Sequence, residues 1–189
     1  MEYNFLPSNE IILKTAGALK ERGVEAIVVA SRNEALEKIK EFIPKGSSVN
    51  NGSSRTLEEI GLVEYLKSDA HGWNNLHVAA LAEKDPAMQS KLRKEALFAD
   101  YYLGSVHALA ETGEMLIASA SGSQLPPIIG TSPNLIFIVG AQKIAPTYDE
   151  AMNRLKNYVV PLEDKRMKEV GMGGTFLAKV VSFLGEPVF

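Results

Sequence analysis

The 189-residue chain contains no cysteine. That removes disulfides, thiolate zinc sites, cysteine nucleophiles and iron–sulfur clusters held by the protein itself. It also has no surplus of basic charge: 20 Lys and Arg stand against 23 Asp and Glu, a formal net charge of −3. Nothing in that balance would neutralise phosphates, so nucleic acid is not an expected partner. Long apolar runs are missing too. The longest, such as 26–30 and 135–140, fall far short of the ~18 residues a membrane span requires. Histidines number three. His71 and His77 have no obvious carboxylate companion, and a metal centre needs three or four converging ligands, so neither metal nor cofactor is expected. The opening MEYNFLPSNE lacks the basic segment and apolar core of a secretory signal, which makes the cytoplasm the expected compartment.

What is present is ordinary for a globular protein: 46% hydrophobic and 23% charged residues. Helical spacing opens after Pro7 and Ser8, with Ile12, Ala16 and Leu19 on one face and Gly23 as a stop. The run 25–30, rich in Ile and Val, predicts a buried strand. Ser31 with Glu34 fits a capping box before a helix that carries Leu36, Ile39 and Ile43 and ends at Pro44. A short strand over 47–50 and a polar loop over 51–54 follow, then a second capping-box pattern, Thr56 with Glu59. This alternation implies parallel strands joined by helical crossovers. Residues 62–81 predict one short helix and a loop around 71–75. Asp85 and Pro86 start a helix through Met88, Leu92 and Ala96. Strands are expected over 100–106, 115–118 and 135–139, with an irregular Ser/Gly/Pro-rich stretch at 120–133. Thr147 with Glu150 opens a helix to about Tyr158; a charged helix over 161–170 and a strand-like 179–184 complete the chain. No repeat or linker divides it. The expectation is a single α/β domain over 1–189 with a mostly parallel sheet. Strands 25–30 and 135–139 should lie in that sheet under helices on both faces, since both are apolar throughout.

Three segments could carry chemistry. In Asn51-Gly52-Ser53-Ser54-Arg55-Thr56, Gly52 frees the backbone, Ser53, Ser54 and Thr56 offer hydroxyls, and Arg55 offers a planar cation. A helix then begins, and the combination fits an anion cradle. A loop that merely caps the helix is the alternative. The second segment runs from a strand into His107, Glu111, Thr112, Gly113 and Glu114. His107 is a candidate proton carrier and Glu111 a candidate general base or nucleophile, against a structural turn. The third supplies Gly122, Ser123 and Gln124, a loop able to bind an anion through its backbone. Strand ends at one carboxyl edge would bring the 52–56 loop, His107 and Glu111 to one cleft.

Taken together, SSRTLEEIGL, ADYYLGSVHALAETGEML, LPP and LIFIVGAQKIAPTYDEAMNRL, in this order over roughly 45–160, resemble the LUD-domain (lactate-utilisation) family. The resemblance implies the three-layer α/β/α fold of the ribose-5-phosphate isomerase, glucosamine-6-phosphate deaminase and CoA-transferase superfamily. It also implies a part in bacterial oxidation of L-lactate to pyruvate, beside partner proteins that carry iron–sulfur clusters. Enzymes of the superfamily hold phosphate or CoA groups on Gly-Ser-Thr loops at strand ends and place an acidic residue at the second position. Here 52–56 and 107–113 match those places. Many LUD members carry an Arg near the position of Gln124. Three roles stay open: an accessory subunit binding a small anion, a stand-alone isomerase or acyl/CoA transferase using Glu111 or His107, or an interaction module whose cleft is vestigial. Against longer relatives the C-terminus is short, so an edge strand is expected to be either missing or supplied by a partner chain, and a homo-oligomer is one possible assembly.

Overall fold

The computed structural model describes residues 3–187. In chain order the elements are α1 (Asn9–Glu21), α2 (Arg32–Phe42), β1 (Ser48–Asn51), α3 (Arg55–Glu59), α4 (Leu62–Lys67), β2 (Asn74–Asn75), α5 (Leu76–Ala82) and α6 (Pro86–Glu95). They continue as β3 (Tyr101–Gly104), β4 (Ala108–Ala110), β5 (Met115–Ser119), β6 (Asn134–Phe137), β7 (Ile144–Ala145), α7 (Tyr148–Arg154), α8 (Val160–Glu169) and β8 (Lys179–Phe183). The chain is α/β and forms two compact units, each assembled from discontinuous segments.

The parallel-sheet unit comprises Val29–Ser105 and Ser123–Ile138. Its strands run in the order β2-β1-β3-β6, all parallel. The register sets Val49 beside Tyr101 and Leu103 beside Ile136, so these four share one face. That face packs against Ile39 and Ile43 at the end of α2, Leu57 and Ile60 from the α3 region, and Leu62 and Leu66 of α4. Trp73 closes the cluster, and its indole N–H donates to the Ile43 carbonyl at 3.0 Å, so the ring is buried without orphaning its polar atom. On the opposite face, Asn50 Nδ2 donates to the Ala96 carbonyl at 2.8 Å, tying β1 to the turn that follows α6. Helices above and below a parallel sheet give the three-layer α/β/α arrangement.

The mixed-sheet unit comprises the residues up to Val28, Val106–Gly122 and those from Val139 on. Its order is β7-β4-β5-β8, with β4 and β7 parallel and the other two pairings antiparallel. Ala151 and Leu155 pack on Ala108, Ala110, Leu116 and Ala145. Between α7 and α8 the helix continues as a wider π-type turn over Leu155–Val159. Pro161 explains it: the ring has no N–H to give the preceding turn, and the ladder shifts around the missing bond.

Most caps read from the sequence hold. Ser8, Ser31, Asp85 and Thr147 each accept from the backbone N–H three residues on. Glu34 completes its box by accepting from the Ala30 N–H at 2.9 Å, one residue earlier than the motif specifies.

The expected strand over 25–30 does not form. These residues join the two units in sequence, and Ile27 and Val28 are 48% and 50% exposed. Composition favoured a strand, but a strand needs a neighbour to take its hydrogen bonds, and none pairs here among the described residues. The expectation that 25–30 and 135–139 share a sheet fails with it. Residues 135–139 do supply a strand, β6, but at the edge of the parallel sheet and only half-buried. Thr56 is not a helix cap: α3 begins at Arg55 behind Ser54, and Thr56 is buried in the first turn. Residues 62–81 hold two helices rather than one, and β4 was not expected as a separate strand.

Candidate functional site

In the parallel-sheet unit the carboxyl ends of β1, β3 and β6 lie side by side, the edge at which open α/β sheets bind ligands. Gly52 follows β1 there, and its N–H donates to the Leu103 carbonyl at 3.1 Å, one further rung beyond the strand. A Cβ at this position would stand 2.4 Å from Tyr102 Oη and 3.2 Å from Gln124 Oε1. Glycine is therefore required by close approach. The contact joins two residues read from the sequence, Gly52 and Gln124, with one that was not, Tyr102. Burial pushes the Tyr102 phenol up to about 12, so it stays a neutral hydroxyl across the physiological range.

The rest of the 52–56 loop is disposed unevenly. Ser54 occupies the N-cap of α3, yet its side chain makes no capping bond. Ser53 is exposed and Thr56 is buried. Arg55 points its guanidinium at Glu58 across 2.9 Å, with its side chain 77% exposed. Ser123 lies on the surface immediately before Gln124.

In the mixed-sheet unit the Ala-Glu-Thr-Gly segment is the turn between β4 and β5. Gly113 holds a left-handed φ of +96° and donates to the Ala110 carbonyl at 2.9 Å. A Cβ on it would stand 2.9 Å from Arg22 Cδ and 3.1 Å from the Ala18 backbone, so both conformation and space demand glycine. Arg22 at the end of α1 clamps this turn. Its Nε donates to the Thr112 carbonyl at 2.6 Å, Nη1 to the Leu184 carbonyl and Nη2 to Glu114 at 2.5 Å. Glu114 also accepts from Thr112 Oγ1, and hydrogen bonds together with the Arg22 charge hold its carboxyl below the usual range despite opposing burial. Glu111 donates its backbone N–H to the Ala145 carbonyl at 2.8 Å, and its carboxylate meets Lys14 Nζ at 3.0 Å.

His107 stands at the entry to β4. Its Nδ1 accepts the Ala118 backbone N–H at 3.1 Å, which leaves the ring proton on Nε2. Burial, reinforced by Lys143 and Arg154, lowers its pKa to about 4, against the opposing charge of Glu163. Near neutrality the ring is an uncharged Nε2–H donor whose acceptor nitrogen is occupied. Two cations grip the backbone at the same point: Lys143 Nζ donates to the Val106 carbonyl at 3.0 Å and Arg154 Nη1 to the His107 carbonyl at 2.8 Å. Gly122, with φ +87°, closes a turn by donating to Ser119 Oγ at 2.9 Å.

The structure thus groups Gly52, Tyr102 and Gln124 in one unit, and His107, Glu111, Gly113 and Gly122 in the other. Lys14, Arg22, Lys143 and Arg154 were not among the residues singled out from the sequence. One of them left a legible signal. Arg154 shares the stripe of Ala151, Leu155 and Tyr158, at helical spacings of three, one and four residues, so a charge sits on an apolar face. Among the described residues no three His, Asp or Glu side chains converge as metal ligands. His71 instead accepts the Trp73 N–H at 2.9 Å and stacks on its ring.

Comparison with curated proteins gives no match. A family model described as the LUD domain matches residues 12–171, which takes in segments of both units and all the site residues named above. With most of its length covered by that match, the chain belongs to the LUD-domain family.

Proposed function

We propose that this protein is an accessory subunit in the oxidation of L-lactate to pyruvate and that it binds a small anionic ligand. The family match carries this reading, since LUD domains are associated with lactate-utilisation proteins. The absence of cysteine supports a division of labour in which iron–sulfur partner proteins carry the electrons and this cytoplasmic chain holds no cluster. The ligand-binding part draws support from the crowded backbone at Gly52 and from the Ser54 hydroxyl, which makes no capping bond. Residues 52–56, Ser123 and Gln124, all of the parallel-sheet unit, would surround the anion.

An accessory role also suits the state of the two candidate catalytic groups. Glu111 faces Lys14 and His107 has its free nitrogen engaged, so neither forms the base–nucleophile pair that activates an enzyme group. Binding is tested by calorimetry and thermal shift with L-lactate, pyruvate and inorganic phosphate. A ligand at about 100 times its Kd should stabilise the fold by ~2.7 kcal/mol. Gly52→Ala should abolish that gain, because the added Cβ displaces Tyr102 Oη and the Gln124 amide. Glu111→Gln and His107→Asn should alter ligand affinity while leaving partner-dependent lactate oxidation at saturating ligand largely intact. If either lowers turnover by ~10²-fold, as loss of a positioned acid or base does, the protein is instead a stand-alone isomerase or acyl/CoA transferase.

A further inference from the structure

Arg154 is an unusual residue for the place it occupies. It closes α7 at 5% exposure, on a stripe otherwise made of Ala151, Leu155 and Tyr158. Its Nη1 is satisfied by the His107 carbonyl, and its guanidinium lies 5.1 Å from the centre of the Tyr158 ring. Its Nε is buried with no hydrogen-bond partner, and among the described residues no carboxylate lies within ion-pair distance of it. A buried cation that lacks both a counter-ion and a full set of acceptors is among the costliest arrangements in a fold. Where one persists, it calls for a partner that the protein itself does not supply, a water or an anion.

The surroundings point the same way. Arg154 and Lys143 are anchored on the adjacent carbonyls of His107 and Val106, which brings two positive side chains to one dipeptide. The His107 ring adds a neutral donor, since Nδ1 is occupied and the proton is on Nε2. Glu163, whose charge reaches His107, is itself held by Arg166 through Nε at 2.8 Å and Nη2 at 2.5 Å. Arg166 also shows what the Nε–Nη2 edge of a guanidinium does when an oxyanion is at hand: it takes both oxygens. Arg154 has the same edge left over.

We propose that Arg154, Lys143 and His107 form an anion-binding site within the mixed-sheet unit, for a small carboxylate or phosphate group that presents two oxygens to the Nε–Nη2 edge of Arg154. The proposal rests on the reading of this chain as a binder of small anions, but not on the 52–56 loop. The carboxylate arm of the test uses L-lactate and pyruvate; the phosphate arm uses inorganic phosphate. Each is titrated into nitrogen-labelled full-length protein while the His107 ring resonances are followed, and affinity is measured in parallel by calorimetry.

The expected result is a saturable shift of the His107 resonances with one of the two arms. Arg154→Lys should then weaken binding by roughly tenfold or more, because an ammonium cannot reproduce a bidentate edge. Should that variant fail to fold, the His107 resonances of the unaltered protein decide the matter. Saturable binding that leaves His107 unmoved, or that survives Arg154→Lys at full strength, overturns the proposal. If such binding is also lost in Gly52→Ala, the ligand belongs to the 52–56 loop and the functional reading above stands without this site. No saturable binding of any of the three anions overturns both.

Discussion

The two units solve the same problem with different materials. In the parallel-sheet unit, nine buried side chains from Ile39 to Leu103 form one apolar cluster, and Val49, Leu57, Leu62 and Leu103 are completely shielded. In the mixed-sheet unit the buried residues beside α7 are mostly small, Ala108, Ala110, Ala145 and Ala151 with Leu116 and Leu155, while Val106, Leu109, Met115 and Ile117 are buried elsewhere in the unit. Small side chains bury little apolar area, and hydrophobic stabilisation scales with area. That unit adds long-range polar ties, in which Arg22, Lys143 and Arg154 each grip main-chain carbonyls from a distant segment. The lesson is that an apolar cluster tolerates changes of charge, whereas a fold tied by one buried cation, two partly buried ones and a neutral histidine becomes sensitive to pH and to single polar substitutions.

Leu103→Ala should produce the largest effect. It opens a cavity in a fully buried cluster and should cost about 3–4 kcal/mol, read by denaturant unfolding. Hydrogen exchange resolved by residue should place the loss in the amides of β1, β3 and β6. If the loss instead fell on β4 and β5, the division between the units would not describe their energetics.

The pH response should be nearly as large and should come from the other unit. The His107 pKa in the fold is about 4, below its ordinary 6.5. The fold therefore favours the neutral ring, and the stability that reflects this is complete above pH 6.5. It is lost as pH falls from 6.5 towards 4, because the unfolded chain takes up the proton first. The difference corresponds to about 3 kcal/mol. His107→Asn should flatten the pH dependence in that window relative to the unaltered protein. His77, also lowered by burial, titrates in both proteins and drops out of the comparison. Equal slopes for the two would remove His107 as the pH-sensitive element.

Gly113→Ala should follow, at about 2 kcal/mol, since a left-handed φ and a blocked Cβ direction act together. The smallest effect belongs to Arg55→Ala. Its partner Glu58 is three residues away on the surface, so unfolding free energy should move by less than about 0.5 kcal/mol. A larger change would mean that Arg55 has a structural role beyond that pair.

The caps at Ser8, Ser31, Asp85 and Thr147 were legible because a cap depends on residues three apart in one chain segment. So were α2 with its Leu36, Ile39 and Ile43 face, and β1, β3, β5 and β8. The run 25–30 was misread because strand-like composition reports a local preference while a ladder needs a partner brought from elsewhere. Thr56 and Glu59 had the spacing of a capping box, but α3 starts one residue earlier and carries Thr56 inside. The candidate site was half legible. Gly52 and Gln124 were named from loop chemistry, and the structure puts them in contact range. Tyr102 was not named, because only the parallel register of β1 with β3 sets it beside the strand that Gly52 follows.

The sequence by itself determined what could be read over a few residues or over the whole composition: an α/β chain without cysteine, its capped helices, its glycine turns and the motifs of the LUD family. Tertiary structure alone decided which charges meet. Glu111 opposite Lys14, Glu114 under Arg22 and His107 between the demands of Ala118, Lys143 and Arg154 are pairings across 11 to 97 positions of chain. No local pattern encodes such a distance. It is fixed when the strands choose their neighbours, and with it the protonation state of His107 and the unmatched charge of Arg154.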